Sequence, residues 1–86
     1  MWRKELSDGA VAVALVNAGE TSAPMRFELE QAGFSSYTRV HVRDALARSS
    51  LGIAVGAFVS APIPAHGSML LRLTFAPLES AARAAV

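Results

Sequence analysis

Apolar residues recur at every second position along much of the chain, which is the period of a β-strand with one buried face. The clearest alternation covers residues 25–30, where three apolar residues, among them Phe27, alternate with three charged ones. Residues 38–44 repeat the pattern, with Val40 and Val42 at the apolar positions. Both segments are therefore predicted to be half-buried strands of an antiparallel sheet.

The same pattern predicts further strands. In residues 10–16 both faces are apolar, one formed by valine and leucine and the other mainly by alanine, which indicates a central strand. Ser7-Asp8-Gly9 has the composition of a turn, so a short strand before it would form a hairpin with residues 10–16. Residues 45–50 are compatible with one helical turn. The other predicted strands are Trp2–Leu6, Val55–Ser60 and Met69–Phe75.

Six short strands separated by turn residues, with no convincing helix between them, predict an all-β fold. We expect a small antiparallel β-sandwich of about six to eight strands with Greek-key-like connections. This domain would occupy residues 1–75. The alanine-rich residues 76–86 are expected to be a tail that is disordered or forms a short helix.

The composition requires a packed core, since 52% of the 86 residues are hydrophobic and only 17% are charged. A chain of this length closes one core, so a single domain is expected. The eight basic and seven acidic residues are spread along the chain and give a net charge of +1. This distribution lacks the basic stripe that binds nucleic-acid phosphates, so no nucleic-acid partner is expected. The chain has no cysteine, which excludes disulfides and thiolate metal sites.

Residues 49–71 carry no Asp, Glu, Lys or Arg and are long enough to span a bilayer as a helix. They also contain Pro62 and Pro64, which would break such a helix. Buried strands explain this segment better, and no membrane partner is expected. The first residues lack the apolar segment of a signal peptide, and the compartment stays open.

Glu28 and Glu30 lie two residues apart on one predicted strand. They are the residues of this chain most similar to the pair of catalytic carboxyl groups of a glycosidase. Both would point from a convex, solvated surface, where nothing could raise the pKa of one of them for acid catalysis. We interpret them instead as partners of the next strand. There Arg39, His41 and Arg43 face outward and would form cross-strand ion pairs with the two carboxylates.

Other catalytic or metal-binding patterns are not found. His41 and His66 are too few for a metal site without cysteine or a carboxylate cluster. The serines lie in turns, and the Gly-x-Ser-x-Gly pattern of a nucleophile elbow is missing. The sequence therefore predicts no catalytic residue, no metal and no cofactor.

Sugar binding by a sandwich usually depends on exposed aromatic rings. Phe34 and Tyr37 flank a predicted loop and could together form a small platform for a sugar ring. Trp2 could also face outward. The remaining aromatic residues at strand positions fall at core spacing: Phe27, Phe58 and Phe75.

A series of short motifs follows the predicted strands in a fixed order. They are Trp2 with Leu6, Ser7-Asp8-Gly9, the strand from Val11 to Asn17, Val42-Arg43-Asp44, Leu51-Gly52, Phe58, Pro64-Ala65-His66-Gly67 and Leu70-Leu71-Arg72-Leu73. Over residues 2–75 this series resembles the C-terminal β-sandwich domain of the α-galactosidases (melibiases) of glycoside hydrolase family 27. One departure is that the family usually continues Val-Arg-Asp with Leu-Trp, whereas this chain has Ala45-Leu46.

The resemblance implies a function for the whole enzyme and a different role for this chain. Members of the family cleave terminal α-galactosides or α-N-acetylgalactosaminides with two aspartates of a (β/α)8 barrel that precedes the sandwich. No residue here matches those motifs, so the chain is expected to be a non-catalytic accessory domain that packs on a barrel absent from it. Family members are commonly secreted or lysosomal.

The alanine face of the second predicted strand, Ala10, Ala12 and Ala14, is the expected docking surface, because a free two-layer sandwich would leave it uncovered. An isolated chain is then expected to self-associate. The alternative is an autonomous carbohydrate-binding module that takes galactosides at Phe34 and Tyr37. A third interpretation is an interaction domain that binds a partner along an exposed edge strand.

Overall fold

A computed structural model describes residues 1–76 of the chain. Within this range there are seven strands and one short 3₁₀ turn, which covers Leu29–Ala32. The all-β fold class is confirmed. The strands are β1 (Trp2–Glu5), β2 (Val11–Val16), β3 (Arg26–Glu28), β4 (Arg39–Asp44), β5 (Ser49–Val55), β6 (Ala57–Val59) and β7 (Ser68–Phe75).

The strands form two antiparallel sheets. The larger sheet has five strands in the order β1-β2-β7-β4-β5, and the smaller consists of β3 and β6. Each end of the large sheet is a hairpin of consecutive strands, β1–β2 and β4–β5. The last strand, β7, lies between the two hairpins and pairs with both β2 and β4. The architecture is therefore the predicted small β-sandwich, with a crossover connection to its central strand.

The core lies between the two sheets. One face of the large sheet contributes residues of β2, β4 and β7, and the other side is formed by the small sheet, the 3₁₀ turn and one loop residue. The fully buried apolar side chains are Val13, Leu15, Val40, Val42, Leu71 and Leu73 on the large sheet and Leu29, Ala32 and Ile63 opposite them. Phe27 packs on Phe58 across the small sheet, with ring centroids 5.9 Å apart. The inward positions predicted for β2, β3 and β4 are confirmed.

The pairing predicted for Glu28 and Glu30 is wrong. The strand that contains Glu28 pairs with β6 and not with β4, and it ends at Glu28, so Glu30 belongs to the 3₁₀ turn. The turn forms because the Gln31 side chain accepts the backbone N–H of Glu28 at 2.9 Å. Glu28 instead forms an ion pair with Arg26 on its own strand, at 2.6 Å.

The helical turn predicted for residues 45–50 is also not formed. Asp44 accepts the backbone N–H groups of Leu46 and Ala47, at 3.1 and 2.9 Å, which closes a tight β4–β5 connection. β5 therefore begins at Ser49, earlier than a strand was predicted. The predicted strand over residues 55–60 is divided, because Gly56 has a φ of 80° and separates β5 from β6.

Phe75 was expected in the core from its spacing, and this expectation is wrong. The residue is 64% exposed at the end of β7. It has the same parity as Leu71 and Leu73, which are fully buried. The small sheet has only three residues in each strand and cannot cover the whole face of a sheet whose strands reach eight residues, so the last inward position stays open.

Asn17 fixes the long connection between the sheets. Its side chain, which is buried, donates to the backbone oxygens of Thr21 and Ile63 at 2.9 and 2.8 Å. Its carbonyl oxygen accepts the N–H of Gly19 at 2.9 Å. The end of β2 is thereby tied to two loops. No helix among residues 1–76 is long and apolar enough to cross a membrane. The tail predicted over residues 76–86 lies outside the described residues except for Ala76, whose N–H donates to the oxygen of Arg39 at 2.8 Å.

Candidate functional site

The outer face of the large sheet, opposite the core, carries a row of apolar side chains. Trp2 of β1 is directly opposite Ala14 of β2, and Ala14 is directly opposite Leu70 of β7. Directly opposite residues in antiparallel strands place their side chains on the same face. Val16 follows two residues after Ala14 and lies on this face too. The row joins the first hairpin to β7, which is far from it in the sequence.

The β4–β5 connection begins beside this row and adds one exposed apolar residue next to it. The backbone N–H of Ala45 donates to the oxygen of Leu70 at 2.9 Å, so the connection leaves the sheet beside Leu70. Leu46 comes next and is 74% exposed, while Trp2 and Val16 are 54% and 56% exposed. We refer to the four residues of the sheet together with the adjacent turn residue as the outer strip: Trp2, Ala14, Val16 and Leu70, with Leu46 in the turn beside them.

A row of basic residues borders the outer strip. Lys4 of β1 is opposite Ala12, Ala12 is opposite Arg72, and Arg72 is opposite Arg43 of β4. Asp8 forms an ion pair with Arg72. The pKa of Asp8 is held below its usual value, mainly because its side chain accepts the backbone N–H of Ala10 and also because of the charge of Arg72. The net charge of this row is positive.

The structure separates the three predicted docking alanines. Ala12 and Ala14 are half-buried on the outer face. Ala10 is only 2% exposed. It precedes β2 in the turn closed by the Leu6 N–H, which donates to the oxygen of Ala10 at 2.8 Å. Ala10 therefore takes no part in the outer strip.

A pocket of about 250 Å³ opens beside the β1–β2 hairpin. Ala10 contributes to its wall, together with Glu5 and the segment after the 3₁₀ turn. Arg3, which lies two residues before Glu5 on β1, forms an ion pair with it at 2.8 Å. The residues that line the pocket are Glu5, Leu6, Gly9, Ala10, Val11, Ala32, Gly33 and Phe34.

The two predicted sugar-contact residues have different surroundings. Phe34 is half-buried, packs against the core and lines the pocket. Tyr37 is 86% exposed and is not among the residues that line the pocket. Sugar contact by Phe34 and Tyr37 stays a prediction. Sequence reasoning missed Glu5 and Arg3 as neighbours of Phe34, because no motif links these residues. Only the position of β1 in the folded sheet brings them near each other.

The histidines lie apart from each other. The Nε2 atom of His41 is 2.8 Å from the hydroxyl of Ser50, and the Nε2 atom of His66 is 3.8 Å from a carboxylate oxygen of Glu20. Over residues 1–76, no group of three histidine, aspartate or glutamate side chains is placed to hold a metal ion. The candidate functional features of this part of the chain are thus a surface, the outer strip, and a small pocket.

Comparison with known families assigns this sandwich to a family. The profile of the family described as the alpha galactosidase C-terminal beta sandwich domain matches residues 1–73. The chain belongs to this family. The resemblance inferred from the motifs of the sequence is confirmed. A search of curated protein sequences finds no match.

Similarity to solved structures agrees with this family assignment. The chain is similar to α-galactosidase I from Mortierella vinacea, with 27% identity over 84% of this chain and a TM-score of 0.77. It is also similar to a family-27 β-L-arabinopyranosidase from Geobacillus stearothermophilus, with 24% identity over 88% of this chain and a TM-score of 0.79. A putative α-N-acetylgalactosaminidase from Bacillus halodurans shares 25% identity over 85% of this chain, with a TM-score of 0.76.

These similarities cover only 19%, 17% and 17% of the three enzymes. The chain therefore spans about a fifth of the length of its structural relatives. In those relatives the matching sandwich is one part of a larger chain, and what is shown for this chain is its membership of the C-terminal β-sandwich family.

Proposed function

We propose that this chain is a non-catalytic domain that packs, through the outer strip, on the catalytic (β/α)8 barrel of an enzyme that hydrolyses terminal α-galactosides. The observation that carries the proposal is the apolar row on the outer face of the large sheet with the turn beside it, where Trp2, Val16 and Leu46 are each more than half exposed. Contiguous apolar surface of this kind marks an interaction site, since burying it removes it from water.

The charges around the outer strip indicate the charge that the partner surface would carry. Lys4, Arg43 and Arg72 lie along one side of it, with Asp8 as the acidic neighbour. A surface that covers the strip would be apolar at its centre and acidic where it meets the basic row. Leu46 stands where the family pattern has tryptophan. A smaller anchor at this position predicts a barrel surface with a correspondingly shallow depression.

The distribution of carboxylates supports a non-catalytic role. Glycoside cleavage needs two carboxyl groups that flank the scissile bond. In this chain Glu5 is on β1, Glu28 is on β3, and each forms an ion pair with an arginine of its own strand. Two carboxylates fixed in that way on different sheets do not converge on one bond. We therefore assign hydrolysis to the barrel of the parent enzyme.

A chimeric enzyme tests the proposal. The C-terminal sandwich of the Mortierella vinacea α-galactosidase I would be replaced by this chain, and hydrolysis of a nitrophenyl α-galactoside would be measured together with thermal unfolding. We expect the chimera to be soluble and active and the isolated chain to be inactive. In the chimera, Leu46→Glu should weaken docking by about 2 kcal/mol, because it places a charge in an apolar contact.

The matched control is Val59→Glu, which adds the same charge at a residue of β6 that is 57% exposed but lies away from the outer strip. It should leave the unfolding temperature of the chimera nearly unchanged. Hydrolysis by the isolated chain would refute the non-catalytic role. Equal effects of the two substitutions would refute docking through the outer strip.

A further inference from the structure

The pocket beside β1 lies on the opposite side of the sheet from the outer strip. Side chains alternate between the two faces of a strand, so Arg3 and Glu5 point to the face opposite Trp2 and Lys4. A partner that covers the outer strip would therefore leave the pocket open. The pocket is thus a feature that docking on a barrel does not explain.

The walls of the pocket combine one aromatic ring with a polar rim. Phe34, which is half-buried, is the residue that supplies accessible apolar surface, while Ala10 and Ala32 lie buried in the wall. The Glu5 carboxylate lies at the rim, and its side chain is 75% exposed. Arg3 holds this carboxylate at 2.8 Å and also donates to the backbone oxygen of Gln31 at 3.4 Å.

Two glycines form part of the pocket wall. Gly9 and Gly33 both line it, with φ angles of 87° and 95°, which side-chain-bearing residues rarely adopt. A Cβ atom on Gly33 would lie 3.2 Å from the Arg3 guanidinium, so this residue lets Arg3 approach closely. The pocket volume of about 250 Å³ is below the range of drug-sized sites, which begins near 300 Å³, and suits a single small ring.

We propose that this pocket binds one neutral pyranose ring. Such a ring has an apolar C–H face, which would stack against Phe34, and an edge of hydroxyl groups, which would donate to Glu5 and accept from Arg3. A neutral ligand is favoured because Arg3 and Glu5 neutralise each other's charge. The site would give the domain a contact with carbohydrate separate from the catalytic barrel.

Nuclear magnetic resonance titration of the whole chain tests this proposal. Galactose, methyl α-galactoside and glucose would each be added to the ¹⁵N-labelled protein. We expect saturable shifts of the amide signals of Gly9, Ala10 and Gly33 with at least one sugar, and no shift at Ala14 on the outer face. A single ring with few polar contacts should bind with a dissociation constant on the order of 1 mM.

Glu5→Ala supplies the decisive variant, because Glu5 is exposed and its loss should leave the fold intact. It should weaken sugar binding on the order of tenfold, as expected for the loss of a hydrogen-bonded charged acceptor. The matched control is Lys4→Ala, on the same strand but on the other face, which should bind as the unaltered chain does. Phe34→Leu should also weaken binding, with its fold checked by circular dichroism.

The proposal is wrong if no sugar shifts the Gly9 and Gly33 signals, or if saturable shifts occur at Tyr37 and not at the pocket. Equal affinities of the Glu5→Ala and Lys4→Ala variants would overturn it as well. Leu46→Glu should not affect sugar binding. Failure of this site would therefore leave the docking proposal untouched, and failure of docking would leave the site untouched.

Discussion

Asp8 links the first hairpin to the centre of the large sheet. One of its carboxylate oxygens accepts the N–H of Ala10 at 3.1 Å, and the other accepts from Arg72 of β7. Both contacts favour the ionised carboxylate, and the pKa of Asp8 is lowered from its usual 3.8. The folded state therefore binds this proton more weakly than the unfolded chain does.

Stability should depend on pH at this residue. A carboxyl group with a lowered pKa contributes stability above about pH 4, and the contribution is lost as the pH falls through its folded-state pKa. We expect Asp8→Asn to lower stability at pH 7 and to make stability vary less with pH below about pH 4. Urea unfolding at several pH values measures both effects.

The control for this prediction is Glu30→Gln, which removes a carboxylate from the exposed part of the 3₁₀ turn. It should preserve the pH dependence of the unaltered chain. A pH profile of Asp8→Asn identical to that of the unaltered chain would show that Asp8 contributes nothing through its charge.

At the residue scale, the sequence predicted which side chains are buried wherever alternation alone decided it. Val13, Leu15, Val40 and Val42 are fully buried as expected. Phe75 follows the same alternation but is exposed, because burial also requires a covering layer and the small sheet does not extend that far. Alternation gives the face of a residue and not the extent of the opposite sheet.

At the scale of the elements, strand existence was easier to predict than strand pairing. The segments of β2, β4 and β7 were found because apolar residues recur at every second position along each segment. β5 was missed over residues 49–54, since the preceding residues include good helix formers and the strand is fixed by pairing with β4. β3 was assigned to the wrong neighbour, because a sequence shows adjacency in the chain and not adjacency in the sheet.

The corrected partner of Glu28 can be tested by double-mutant cycles. Replacing Glu28 and Arg26 by alanine, singly and together, should give a coupling of about 0.2–1 kcal/mol in urea unfolding, the usual value for an exposed ion pair. The same cycle between Glu28 and Arg39 should give a coupling near zero, since the two residues are on different sheets. The reverse result would restore the cross-strand pairing with β4.

At the scale of the whole molecule, the outer strip could not have been read from the sequence. Trp2, Ala14 and Leu70 become neighbours only through the register of β1 on β2 and of β2 on β7. The alanine face predicted for β2 contained one residue of the strip, Ala14, while Ala12 lies in the basic row beside it. The pocket has the same origin, because Phe34 and Glu5 line it together only where Arg3 of the first hairpin donates to Gln31 of the 3₁₀ turn.

An isolated chain with the outer strip uncovered should self-associate at high concentration. Two copies that meet through this strip would also bring their basic rows close together, and Lys4, Arg43 and Arg72 would repel their counterparts. Added salt screens this repulsion, so the association should become stronger as ionic strength rises. Analytical ultracentrifugation at low and high salt measures the effect.

Leu46→Glu should shift this equilibrium towards the monomer, and Val59→Glu should not. A chain that stays monomeric at high concentration under both conditions would contradict self-association through the outer strip.

The position of β7 has a consequence for how the domain can be made. β7 is the last strand of the described residues, yet it joins the β1–β2 hairpin to the β4–β5 hairpin. A nascent chain that has emerged only as far as residue 67 can form two separate hairpins but cannot unite them. Translation therefore produces the strand that joins the two hairpins after the other six described strands. The sandwich can close only after nearly every described residue has left the ribosome.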